Sequence, residues 1–155
     1  MRMKISLIIL ITGIIWSSQI NIVLAQNNSL GRELYLENCS SCHVPIPPQV
    51  LPTQSWQEIL NNTQNHYGVA LPTSVRVTAG LIWTYLEEYS RPIDSEEVVP
   101  QYVTNSRYLR ALHPQVELPQ PSSHQSCTTC HPLATKLDYR TLSDVSEKTP
   151  SLKEG

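Results

Sequence analysis

The sequence predicts a mainly α protein with a helical N-terminal half and a C-terminal half of little regular structure. Three observations lead there. The pentapeptide pattern C-x-x-C-H occurs twice, as Cys39-Ser40-Ser41-Cys42-His43 and as Cys127-Thr128-Thr129-Cys130-His131, and the two copies use all four cysteines of the 155-residue chain. Three segments before Arg91-Pro92 carry apolar residues at helical spacing, whereas residues 132–155 show little periodicity. The chain has 12 prolines and no phenylalanine, so a core made by the protein alone would be thin.

The repeated pentapeptide names the chemistry. C-x-x-C-H reads as a covalent attachment site for a c-type haem. Cys39 and Cys42 form thioethers to one porphyrin edge, and His43 reaches the iron as proximal ligand; Cys127, Cys130 and His131 do the same for a second haem. A thioredoxin-like redox pair or a zinc site is the competing reading. Zinc does not require a histidine directly after each cysteine pair, and a thioredoxin-like motif belongs in a βαβ pattern that the chain lacks. Two haem c groups also answer the thin core: burying about 400 Å² of porphyrin at ~25 cal/mol per Å² is worth on the order of 10 kcal/mol. The chain without haem is expected to fold poorly.

Residues 1–25 read as a secretory signal peptide. Arg2 and Lys4 precede the apolar run from Ile5 to Trp16, and Val23-Leu24-Ala25 offers a small-residue cleavage site. An uncleaved anchor is the alternative; either way the remainder lies outside the cytoplasm, in the periplasm or an equivalent compartment. Cleavage leaves 130 residues, with nine basic against 13 acidic side chains, and moves the formal charge from −2 to −4. That surface argues against nucleic acid and against membrane insertion of the mature chain, and for a redox partner with a basic patch. Residues 26–92 are expected to form the N-terminal haem domain and residues 93–155 the C-terminal haem-binding segment.

Taken in order, Ser29 to Cys39 is a short helix with Leu30, Leu34 and Asn38 on one face and Tyr35 beside them. Gly31 is costly in a helix, which suggests close approach by another one. Val44-Pro45-Ile46-Pro47-Pro48 and Pro52 exclude helix and central strand and predict an extended loop against the haem edge. Ser55-Trp56-Gln57-Glu58 is a capping box that starts a second helix. This helix carries Trp56, Ile59, Leu60 and Thr63 inward and ends near Tyr67-Gly68, with His66 on the same apolar side. Pro72-Thr73 opens the longest helix, to Ser90, with Val75, Ala79, Ile82, Leu86 and Tyr89 in register. The order is that of a class I cytochrome c, in which the first and last helices cross beside the haem; Gly31 and Gly80 are candidates for the crossing. Residues 92–104 form an acidic connector. Asn105 or Ser106 caps a short helix through Leu112, ended by His113-Pro114.

The run 39–68, CSSCHVPIPPQVLPTQSWQEILNNTQNHYG, resembles the bacterial dihaem cytochrome c family. So do the Leu71–Leu86 helix, the SRYLRALH segment ending at His113 and the CTTCH site. The likeness spans most of residues 30–140. It implies two haems each held by two histidines, a class I-like N-terminal half and an irregular C-terminal half. It also implies electron transfer between redox proteins, a small oxygen-binding monohaem cytochrome among the partners of some members. The histidines of NHYG and ALHP fall where the family's other axial ligands lie. Elimination points the same way. The only methionines are Met1 and Met3, so the mature chain has no thioether ligand. Beyond His43 and His131 there remain His66, His113 and His124. His124 sits three residues before Cys127, on the tether of the second haem, and is poorly placed to reach its opposite face. His66 and His113 are therefore the expected sixth ligands, with His66 on the first haem by class I order, although a crossed arrangement stays open. The expected function is electron carriage by two low-potential haems, without catalysis. The alternative is a small haem enzyme or gas-binding protein with one open iron position.

Overall fold

The computed structural model describes residue 26 and residues 28–118 and 126–143. The expected signal peptide, His124 and the chain end beyond residue 143 lie outside these. Helix α1 covers 28–39, α2 Thr53–Asn61, α3 Thr73–Tyr89, α4 Arg107–Leu112 and α5, a single turn, Cys127–Cys130. Three 3-10 turns stand at Pro48–Val50, Val103–Asn105 and Ala134–Lys136. Among the described residues there is no strand, and the only bridges are the isolated pairs Pro52–Arg91 and His66–Val69. The predicted mainly helical fold is present.

The first and last helices of the N-terminal half, α1 and α3, cross at Gly31. A Cβ there would lie 2.3 Å from the Leu81 carbonyl oxygen and 2.9 Å from Tyr85 Cβ, so only glycine lets the backbones meet. Gly80 has no part in the crossing, because a Cβ on it would meet nothing within 4 Å. The crossing also turns the faces from those expected. On α1 it is Tyr35 that is buried, while Leu30 remains 42% exposed. On α3, Tyr85 takes the core place assigned to Tyr89, which stays half in solvent. Tyr35 then stands at the centre, edge-on to Trp56 at 5.8 Å and 5.8 Å from the Tyr85 ring.

The proline-rich stretch after His43 is part of the core. Val44, Pro45, Ile46, Pro48, Val50, Leu51 and Pro52 are all buried. Prolines lack the N–H that makes irregular backbone costly to bury, and the remaining polar groups find partners. The Tyr35 hydroxyl donates to the Ile46 carbonyl (2.7 Å) and the Trp56 indole N–H to that of Pro48 (2.8 Å).

Helix α2 starts three residues earlier than expected and ends six residues before Tyr67. The capping box does not form: Pro52 occupies the N-cap and makes no side-chain cap bond. Ser55 is buried instead, its hydroxyl donating to the Pro100 carbonyl (2.9 Å). At the other end Asn65 accepts the Gly68 N–H on its side-chain oxygen, and Tyr67 and Gly68 adopt φ of 52° and 94°. Asparagine offers the backbone a local bond in place of the helical one, and the chain turns. In α4, Ser106 is the N-cap, accepting from the Tyr108 and Leu109 N–H groups, and its hydroxyl donates to the buried Val50 carbonyl. Pro114 stops the helix at His113, as the residue before a proline is pushed out of the helical region. Where the acidic connector begins, Arg91 meets Glu97 through a two-pronged ion pair at 2.6 and 2.5 Å.

Candidate haem centres

Both cysteine pairs stand at helix ends. Cys39 closes α1 and Cys42 lies in the turn after it, while Cys127 and Cys130 begin and end α5. In α5 the helical C-x-x-C places its two sulfurs one turn apart on the same side, and the following histidine leaves the helix. The His43 N–H bonds back to the Cys39 carbonyl (3.4 Å) and the His131 N–H to that of Cys127 (2.8 Å). No disulfide links the four cysteines. Burial, and after it Cys42, pushes the Cys39 thiol up to about 12. Burial likewise raises Cys127. Neither is the low-pKa, activated thiol of a redox pair. Among the described residues no group of three or more His, Cys, Asp or Glu is placed to hold a bare metal ion.

Each proximal histidine faces one of the histidines singled out by elimination. The His43 and His66 rings stand 6.2 Å apart, centre to centre, with their planes 28° from parallel. The His113 and His131 rings are also 6.2 Å apart, with planes at 79°. A metal–imidazole bond of about 2 Å puts each ring centre roughly 3 Å from the metal, so two axial rings on one iron are roughly 6 Å apart. Both spacings are those that two imidazoles on one iron would need. The uncrossed pairing is the one brought together: His66 with His43, and His113 with His131.

The ring hydrogen bonds suit such a role. His43 Nδ1 donates to the Val44 carbonyl (3.1 Å) and His113 Nδ1 to that of Leu109 (2.8 Å). A carbonyl can only accept, so in both rings Nδ1 carries the proton, the tautomer in which Nε2 is the metal-binding nitrogen. His131 differs, since its Nδ1 is buried without a partner at bonding geometry. Burial, and then the neighbouring ring, holds His66 and His131 below the ordinary imidazole range, so both are neutral, as a metal ligand must be.

His66 reaches its place by a route the sequence reading missed. It sits on no helix face but in the tight turn with Val69, the two residues exchanging backbone bonds of 2.7 and 3.2 Å. Tyr67 lies 4.5 Å from its ring and stacks on Tyr102 at 5.1 Å, while the Tyr67 hydroxyl donates to the Gln101 carbonyl (2.6 Å). Tyr139 was missed altogether. Its ring packs 5.2 Å from His131 and its hydroxyl donates to the Pro45 carbonyl (2.8 Å), joining the two centres.

Comparisons with known proteins bear on the chain's family and fold. The family model for dihaem cytochrome c matches residues 35–139. The fold is similar to the X-ray structure of a dihaem cytochrome c from Shewanella baltica OS155, with a TM-score of 0.52 and 28% sequence identity. The match covers 68% of this chain and 85% of that one. No curated protein matches the chain.

Proposed function

The chain belongs to the dihaem cytochrome c family and carries two covalently bound haem c groups, and we propose from that premise that it is an exported electron carrier whose two irons are each held between two histidines. The family is typically extracytoplasmic and generally carries electrons. We assign Cys39, Cys42, Cys127 and Cys130 to thioether attachment, His43 and His131 to the proximal positions, and His66 and His113 to the distal ones. The observation that carries the reading is the equal 6.2 Å spacing of the two histidine pairs. When bound, each haem supplies a one-electron couple at its iron.

The chain's own residues set the character of that couple. Two neutral imidazoles favour the ferric state more than a histidine and a thioether do, which keeps both potentials low. Filled axial positions leave no site for a substrate or a gas. The Val44 and Leu109 carbonyls fix the rotation and basicity of His43 and His113, so little needs to rearrange when charge changes. Residues 1–25 act as the export signal, consistent with haem attachment outside the cytoplasm. The partners are other redox proteins, a small monohaem cytochrome c among them, met through an acidic surface.

The test is the absorption spectrum of the reduced holo-protein with and without carbon monoxide. Two low-spin haems that ignore the gas are expected. His66→Ala and His113→Ala should each open one iron to carbon monoxide while covalent haem content is unchanged. A wild-type protein that binds the gas stoichiometrically would overturn the carrier reading in favour of an open-iron enzyme or gas-binding protein.

A further inference from the structure

We propose that Tyr139 is a positioning residue of the second haem centre: it holds the His131 ring close to perpendicular to His113, so that one chain carries two differently oriented ligand pairs. The proposal rests on the bis-histidine reading above.

Three of the rings have evident constraints on their rotation. His43 and His113 are hydrogen-bonded through Nδ1 to the Val44 and Leu109 carbonyls. His66 is clamped in a turn by two backbone bonds and packed by Tyr67. His131 is held less firmly. Its buried Nδ1 meets no partner at good bonding geometry, and only the Tyr139 backbone comes near enough to bond it weakly. A ring with so weak a directional bond takes the rotation that its packing allows. The packing neighbour is Tyr139, whose ring centre lies 5.2 Å away at an interplanar angle of 52°. Tyr139 is itself fixed at its far end. Its hydroxyl donates to the carbonyl of Pro45, two residues beyond His43, and Pro45 lies in the buried loop whose next residue is held by Tyr35. Tyr139 is thus a strut that runs from the rigid loop of the first centre to the proximal ring without a well-aligned hydrogen bond at Nδ1.

The consequence is electronic. The π-donor orbital of an imidazole is perpendicular to the ring plane. Near-parallel rings, as at His43 and His66, feed the same iron d orbital and split it from its partner. Near-perpendicular rings, as at His113 and His131, feed both and leave them almost degenerate. The unpaired electron of the ferric state then has one fixed orientation at the first centre and is spread over two at the second.

Electron paramagnetic resonance of the oxidised holo-protein reads this directly. The wild type should give one rhombic low-spin signal and one highly anisotropic low-spin signal. His66→Ala should remove the rhombic one. Tyr139→Leu should move the anisotropic signal towards rhombic while the first centre's signal, haem content and low-spin absorption stay as in the wild type. Tyr139→Phe, which keeps the ring, should retain the anisotropic signal. The proposal is overturned if Tyr139→Leu leaves both signals unchanged, or if it alters both together as general loosening would. Two rhombic signals in the wild type overturn it without any variant. A high-spin component in the wild type instead overturns the bis-histidine reading, whatever Tyr139 does.

Discussion

Gly31 and Gly80 both lie within helices, yet alanine should act on them with opposite sign. At Gly31 the new Cβ would stand 2.3 Å from the Leu81 carbonyl oxygen, where an ordinary carbon–oxygen contact is about 3.3 Å. The obstacle cannot swing aside, because it is backbone and already accepts the Thr84 hydroxyl at 2.7 Å. The two helices must therefore part by about 1 Å, against a typical overpacking cost of ~1–3 kcal/mol. Alanine returns about 1 kcal/mol of helix propensity, and the fixed obstacle places the cost in the upper half of its range. Gly31→Ala should thus lose about 1–2 kcal/mol net. At Gly80 a Cβ meets nothing within 4 Å, so only the propensity gain of about 1 kcal/mol remains. Urea unfolding of the holo-proteins, followed by far-ultraviolet circular dichroism and haem absorption, measures both. With a slope of about 2 kcal/mol per molar, the midpoint should fall by roughly 0.5–1 M for Gly31→Ala and rise by roughly 0.5 M for Gly80→Ala. A Gly31→Ala protein as stable as the wild type would refute the crossing of α1 on α3 as drawn from these distances.

Further outcomes follow from other contacts. Glu97→Gln removes half of an ion pair whose side chains are only 3% (Glu97) and 11% (Arg91) exposed, and should cost about 2–3 kcal/mol, somewhat less than a fully buried pair. The bond from Arg91 lowers the Glu97 pKa. Its stabilisation is therefore complete above the ordinary glutamate value of about 4.3 and is lost as pH falls through the lower folded value. Denaturation midpoints of wild type and Glu97→Gln should accordingly converge in acid and not at neutral pH. Ser106→Ala removes the α4 cap and leaves the buried Val50 carbonyl without its hydroxyl; a loss of about 1–2 kcal/mol is expected in thermal unfolding, with greater carbon monoxide access at the centre that His113 serves. Replacing Cys127 and Cys130 by alanine should leave a single covalent haem by mass spectrometry, still low-spin, and a chain retaining free thiols with no haem in the wild type would end the haem reading.

What could be read from the sequence follows the distance over which each feature is determined. Haem attachment needs two thiols and an imidazole within five consecutive residues, so both attachment motifs stood in plain view. The long helix α3 was equally legible, because its period repeats over 17 residues; Val75, Ile82 and Leu86 are buried as expected, and the misjudged residue is Tyr89, whose core place Tyr85 takes beside the close approach at Gly31. Leu30 was misjudged on α1 for the same reason. The helix ending that was missed lies at Asn62, whose backbone leaves the helical region, and periodicity does not register a single residue's conformation. His66 was named for its apolar helix face and arrives opposite His43 from a turn instead. The proline-rich stretch was read as an extended loop against the haem edge, and its place in the core was not foreseen; lacking N–H groups, prolines can be buried at little cost. Tyr139 left no sequence signal, because its contact with Pro45 spans 94 residues. Elimination by residue type could name His66 and His113, but it could not tell which proximal histidine each would meet, since any pairing satisfies a count. That choice is made by the paths of the chain: the turn after α2 sets His66 over His43, and the Ser106 cap, tied back to Val50, aims α4 so that His113 meets His131. Both paths are fastened to the buried 44–52 stretch, one through Trp56 on Pro48 and the other through Ser106 on Val50. The segment least legible as structure is thus the one from which both histidine pairs are positioned.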